Sequence, residues 1–288
     1  MRRASLSFMR AIFLSDIHLR GTQDSRLKLL IQRLDEEIAV GSLTQLFLLG
    51  DIFDLWVGAH QHFVAEYAEL LARLAKLRKM GVEIHYFEGN HDLHLAGYWR
   101  EQLGAKVHVE SVVMNLAGLR VQLEHGDQMN PDDRGYLRLR AFLRTPFMAW
   151  AAYALPGAVT EAIGNSMSRA SRKWTASPVM FRDETQIRTM MVEHVRRAWA
   201  DEDFDVLIAG HVHVRLDEQI PMEPSAKNVR VINLGCWPGA DRRSRIQDVQ
   251  VLELTSGDGS SASAQAGQGE AAARWRWINW SADVPAVN

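Results

Sequence analysis

Residues 11–18 read AIFLSDIH, four apolar residues running straight into Ser15, Asp16, Ile17 and His18. An apolar run of that length reads as a buried strand. Ending it on a carboxylate and an imidazole costs free energy unless something pairs with them. The same pattern recurs along the chain. FLLGD places Asp51 behind a second run, and HYFEGNHD places Asn90, His91 and Asp92 behind a third. LEHGD does so for His125, and VLIAGHVH for His211 and His213. Open α/β sheets gather their ligands at the carboxyl ends of strands. Five such ends carrying Asp, Asn and His, with no thiolate, point to one shared site.

Successive side chains on a strand point to opposite faces. That spacing predicts that Asp16 and His18 face one way, and likewise His211 and His213. Glycines at 50, 89, 126 and 210 predict tight turns that bring backbone close to a ligand. Hard oxygen donors mixed with imidazole suit Mn, Fe(II) or Zn. Asp16, His18, Asp51, Asn90, His125, His211 and His213 exceed the needs of one ion. They predict two divalent ions, roughly 3.5–4 Å apart and bridged by a carboxylate.

Between the motifs, strands are expected at Ala11–Leu14, Leu46–Leu49, Val82–Phe87, Val107–Met114, Arg120–Glu124, Val206–Ala209, Val231–Leu234 and Val249–Leu254. Ser25–Val40 and Phe63–Lys79 have helical periodicity. The β-α-β-α-β order predicts a layered α/β fold, followed by a hairpin around Gly118. Residues 128–200 read as helices only, a helical insertion in a domain spanning 9–255. From Arg134 to Arg182 this insertion has seven Arg and one Lys against one Glu, yet TPFMAWAAYALPGAV carries no charge. Residues 256–273 are low in complexity and read as a flexible loop, and residues 1–8 as a poorly ordered extension. In 274–288, RWRWINW reads as a strand pairing with Val249–Leu254, Trp inward and Arg outward; its composition also fits an interfacial anchor.

The 288 residues are 47% hydrophobic, with a net charge of −2, so no overall basic field argues for nucleic acid. One cysteine, Cys236, excludes an internal disulfide framework and fits a reducing, cytoplasmic setting. It is expected to be buried. Arg10 interrupts the first apolar run, so no secretory leader is expected, and no stretch reaches the ~20 apolar residues of a membrane span. The six histidines at 60, 62, 85, 94, 108 and 194 read as surface or packing residues.

The set D-x-H, GD, GNHD, HGD and GHxH, spread over residues 10–255, resembles the calcineurin-like metallophosphoesterases. The resemblance implies a four-layered αββα sandwich and a two-metal centre. By position, Asp16, His18 and His213 hold one ion; Asn90, His125 and His211 hold the other; Asp51 bridges. It also implies that His91 meets the phosphate or protonates the leaving oxygen, steered by Asp92, while a hydroxide between the ions attacks phosphorus. Asp127 is expected to support His125, and Asp54 to line the site or order a turn.

HGDQMNPDDRGYLRLRAFLRTPF and GDIFDLWVG are further similar to bacterial UDP-2,3-diacylglucosamine hydrolases. That resemblance implies a nucleotide-sugar lipid substrate, cleaved to UMP and a diacylglucosamine 1-phosphate in lipid A synthesis. Mn is the expected metal, with peripheral attachment at the cytoplasmic face of the inner membrane. The helical lid would cover the acyl chains, Asp133 would contact the sugar, and Ser166 and Lys173 in NSMSRASRK would be lid contacts. Three positions depart from the pattern: the family commonly reads GNRD where this chain has His91, often has an acid where this chain has Cys236, and tends to have a polar residue where this chain has Ala170. The open alternative is another phosphoester, such as a cyclic nucleotide, a phospholipid or a phosphoprotein.

Overall fold

The apolar runs become the strands of two facing sheets. A computed structural model describes residues 8–154, 184–240, 246–257 and 273–281. In chain order the strands are β1 (Met9–Leu14), β2 (Gln45–Leu48), β3 (Trp56–Val57), β4 (Glu83–Phe87), β5 (Asp92–Leu93), β6 (Lys106–His108) and β7 (Val112–Leu116). They continue with β8 (Leu119–Leu123), β9 (Val206–Ala209), β10 (Arg215–Pro221), β11 (Asn228–Leu234), β12 (Gln250–Ser256) and β13 (Arg274–Asn279). The helices are α1 (Ser25–Val40), α2 (Gln61–Glu66), α3 (Ala68–Lys79), α4 (Arg134–Leu143), α5 (Pro146–Ala154) and α6 (Glu184–Asp201).

One sheet has the order β13-β12-β1-β2-β4-β6, the other β10-β11-β9-β8-β7. β1, β2, β4 and β6 run parallel, as do β8, β9 and β11. Their carboxyl ends therefore emerge together. Between the sheets lie Phe13, Phe47, Phe87, Leu123, Ile208 and Ile232, all essentially inaccessible. Phe13 and Phe47 are register partners whose rings stack at 4.7 Å. The outer face of the first sheet packs on α1 and α3 through Leu27, Leu30, Leu34, Leu70, Leu74 and Leu77. The outer face of the second packs on α6 through Ile187, Met190, Met191 and Val195. The layers are α, β, β, α, so the four-layered sandwich is borne out.

Local sequence explains the helix ends. Asp24 accepts from the Arg26 N–H at the start of α1, and Gly41 ends it at φ +69°. The expected helix Phe63–Lys79 is broken at Tyr67, whose hydroxyl accepts from Gly21 N–H and donates to the Leu19 carbonyl. The expected strand Val107–Met114 is also two strands. β6 closes the first sheet and β7 opens the second, with residues 109–111 crossing between them.

RWRWINW does form the hairpin strand. β13 pairs with β12, Trp275 and Trp277 pack on the inter-sheet core, and Arg276 bonds Glu253 at 2.8 Å. The helical stretch 128–200 divides in two. α6 is a layer of the sandwich, whereas α4 buries no residue and α5 only Ala152. Ser166 and Lys173, most of the low-complexity stretch and residues 1–7 lie outside the described residues. Among the described residues, no helix is long and apolar enough to cross a membrane.

Candidate metal centre

The strand ends deliver their polar residues through left-handed backbone, not through strand pleat. β1 stops at Leu14, and Asp16 and His18 follow at φ +50° and +51°. Asp51, His211 and His213 hold φ of +52°, +70° and +57°. Among the described residues only seven non-glycines are left-handed, and these are five of them. Such conformations cost energy and persist where surroundings over-determine them. The expected i, i+2 convergence holds for Asp16 and His18, which share one cluster, and is corrected for His211 and His213. His213 joins Asp16 and His18, whereas His211 joins Asp51 and His125.

Backbone bonds tie the loops together. Asp16 N–H donates to the Gly50 carbonyl at 3.1 Å, His18 N–H to that of Asp51 at 3.0 Å, and Gly210 N–H to that of His125 at 2.9 Å. The glycines make room for side chains of the site itself, not for an approaching ligand. A Cβ on Gly89 would lie 2.1 Å from Asp51 Oδ1, and one on Gly210 would lie 2.2 Å from Asp16 Oδ2.

Asp51 sits in the middle. Its Oδ1 accepts from His91 N–H at 2.9 Å, while its Oδ2 lies 3.7 Å from His18 Nε2 and 3.6 Å from His125 Nε2. It thereby belongs to both flanking clusters, as a bridging carboxylate must. Asp16 Oδ2 accepts from His211 N–H at 2.9 Å, and its Oδ1 is buried with no hydrogen-bond partner, 3.4 Å from His213 Nε2. His18 Nε2 and His213 Nε2 are 3.3 Å apart. In the other half, Asn90 Oδ1 lies 3.2 Å from His125 Nε2 and 3.1 Å from His211 Nδ1. Lone-pair atoms converge at two adjacent points.

The electrostatics agree. Burial, reinforced by His91 and His213, holds the His18 imidazole well below its ordinary value. Burial and the neighbouring His125 push His211 down to about 4. Burial also acts against charge on His125, yet Asp51, Asp16 and Asp127 draw it up to about 9. Burial acts against charge on Asp16, yet His213 and His125 hold its carboxyl below the ordinary value, so this buried carboxylate is drawn to positive charge. The donor set of carboxylate, amide oxygen and imidazole fits a pair of divalent ions.

One expected support is corrected and a second is refined. Asp92 does not steer the His91 ring. It accepts from Ile52 N–H at 2.9 Å, Tyr86 hydroxyl at 2.5 Å and Gly89 N–H at 2.7 Å, which shapes the turn bearing Asn90. Burial, helped by Asp51, pushes its carboxyl up to about 6. The His91 ring is set instead by its Nδ1, which donates to the Asp54 carbonyl at 2.8 Å. Asp127 supports His125 through its charge and not through a hydrogen bond: the His125 Nδ1 donates to the Leu49 carbonyl at 2.8 Å. Asp127 accepts from Tyr136 and Arg140 and so anchors α4.

Asp133 is the N-cap of α4, accepting from Tyr136 N–H at 2.9 Å. The Asp54 side chain stands 3.9 Å from His18 Nδ1 and 3.5 Å from Arg20 Nε, so Asp54 both lines the site and orders the turn. Cys236 is buried. Tyr86, Tyr136 and Arg140 were not anticipated. Only Tyr86 left a signal, a hydroxyl inside the apolar run that leads into GNHD.

Beside this centre the α4–α5 hairpin exposes Phe142, Phe147, Trp150 and Tyr153, each at least 46% accessible. Arg134 and Arg138 are exposed on α4.

A profile of the calcineurin-like phosphoesterases matches residues 9–215. A UDP-2,3-diacylglucosamine hydrolase of Nitrosococcus oceani is 30% identical over 209 residues, covering 71% of this chain and 79% of the relative. Hydrolases of the same name match from Pseudomonas aeruginosa, at 27% identity over 80% of this chain and 91% of the relative, and Porphyromonas gingivalis, at 28% over 78% and 89%.

Proposed function

The chain belongs to the calcineurin-like phosphoesterase family and is a metal-dependent phosphoester hydrolase; we propose that it cleaves the diphosphate of UDP-2,3-diacylglucosamine, giving UMP and 2,3-diacylglucosamine 1-phosphate. The observation that carries this reading is an exposed aromatic face with flanking arginines on the hairpin beside the metal centre. Such a face suits acyl chains and a headgroup phosphate.

Asp16, His18 and His213 would hold one ion, Asn90, His125 and His211 the other, and Asp51 both. When bound, the ions supply an acidified water and positive charge against the phosphate oxygens. Mn(II) is the metal proposed first. His91, its ring set by the Asp54 carbonyl, orients the phosphate and holds a proton for the departing oxygen at Nε2. Asp133 reaches the sugar from the start of α4, and Ser166 and Lys173 add lid contacts. The enzyme works from the cytoplasm at the inner-membrane surface, where an early lipid A intermediate resides.

Purified protein with Mn(II) should release UMP and the lipid monophosphate from this substrate, and Asp51→Ala should not. His91, where these hydrolases commonly have arginine, favours one alternative, a different diester. Turnover of bis(p-nitrophenyl) phosphate without release of UMP would select it.

A further inference from the structure

The corner between α4 and α5 is fastened to the loop that carries Asn90 and His91, on both sides of them. On the near side, Arg144 donates from Nη1 to Glu88 Oε2 at 2.6 Å and from Nη2 to the Gly89 carbonyl at 3.2 Å. The two side chains are only 10% and 4% exposed. The second Glu88 oxygen accepts from Leu95 N–H at 2.8 Å, beyond the turn. On the far side, His94 Nε2 donates to the Leu143 carbonyl at 2.9 Å, the last residue of α4. Tyr153 of α5 donates its hydroxyl to the His94 carbonyl at 2.9 Å and accepts from Gly97 N–H at 3.1 Å.

His94 holds φ +56°, the same left-handed region as the ligand candidates. Strain of this kind is kept where neighbours over-determine it, and here the neighbours are the hairpin. The buried Arg144–Glu88 pair points the same way. Desolvation offsets much of the attraction in such a pair, while the guanidinium's two bonds, one to Glu88 and one to the Gly89 carbonyl, fix its register. Asp92 braces the Asn90 turn from within the sandwich; the hairpin braces it from outside. The loops of Asp16, His18, Asp51 and His211 are bonded to one another through their backbones.

We infer that Arg144 and His94 are positioning residues through which the α4–α5 hairpin sets the Asn90–His91 turn, and with it one of the two ion sites. The inference rests on Asn90 being a metal ligand. It makes the hairpin a lever on the metal centre as well as a cover.

The test titrates metal-free, full-length protein with Mn(II), following free ion by electron paramagnetic resonance. Activity is read on bis(p-nitrophenyl) phosphate, a diester with no acyl chain. Arg144→Met should weaken one of two Mn(II) sites by about 10- to 100-fold, leave the other unchanged, and lower kcat by a similar factor. His94→Asn, which tolerates left-handed backbone, should weaken the same site less. Two wild-type Mn(II) affinities and a wild-type kcat in both variants, with only Tm lowered, would overturn the inference. If Arg144→Met does not fold, His94→Asn decides alone. A parent protein that binds no Mn(II) would sink the metal reading and this one with it. Failure on the lipid substrate alone touches only the substrate assignment.

Discussion

Two regions border the same site on opposite terms. At the strand ends Asp16, Asp51, Asp92 and His125 are at most 4% accessible, their loops are cross-bonded, and five residues hold left-handed backbone. In the α4–α5 hairpin nearly every side chain is accessible, and Phe147 and Trp150 stand 64% and 65% exposed. The first region tolerates no change of shape, because each glycine and carboxylate fills space another needs. The second spends little of the fold's stability and can vary its surface. The candidate chemistry sits where packing is tight, and the proposed function puts substrate choice where it is loose.

The largest test of that contrast is Asp51→Ala, which removes the carboxylate common to both ion sites. It should lower kcat by at least about 10³-fold and leave less than two Mn(II) bound per chain. Next comes Gly89→Ala, whose new Cβ would collide with Asp51. A loss of about 1–3 kcal/mol in stability is expected, together with weaker Mn(II) binding, measured by thermal melts with and without the ion. A variant that melts and loads like its parent would break the account of crowded strand ends.

A third test is pH. In metal-free protein His125 is drawn up to about 9, so below that pH it carries a proton that an ion must displace. Mn(II) affinity should therefore rise about tenfold per pH unit on approaching pH 9 and level off above it. A flat profile between pH 6 and 8 would sink this reading of the charge at His125. The smallest effect on the fold is expected from Trp150→Ser combined with Phe147→Ser. Stability should stay within about 1 kcal/mol and turnover of a soluble diester should not change. KM for the diacyl substrate should rise about tenfold. A fall in soluble-diester turnover would show that the face, and not only the corner, supports the centre.

The contrast also governs what could be read from sequence. Buried parallel strands announce themselves as apolar runs, and the ligand types behind them were legible for the same reason. β10 was not, since RLDEQIP is a half-exposed edge strand without a run. VHVESVVM reads continuously although the chain changes sheets at residues 109–111. Only glycine advertises left-handed backbone, so the conformation of Asp16 or His211 had no local sign. The partners of Asp92 and Asp127 depend on which distant tyrosine or arginine the fold brings near, and that is settled by packing.

β1 lies between β2 and β12, so the strand that feeds Asp16 and His18 stays half-paired until residue 256 has been made. At ribosomal speed, ~5–20 residues per second, that wait lasts on the order of tens of seconds. His213, the partner of Asp16, also arrives late. Contacts of such sequence separation form slowly. The candidate ligand set is complete only once His213 has been made and its sheet has formed. An ion supplied after synthesis should find the same site as one present throughout.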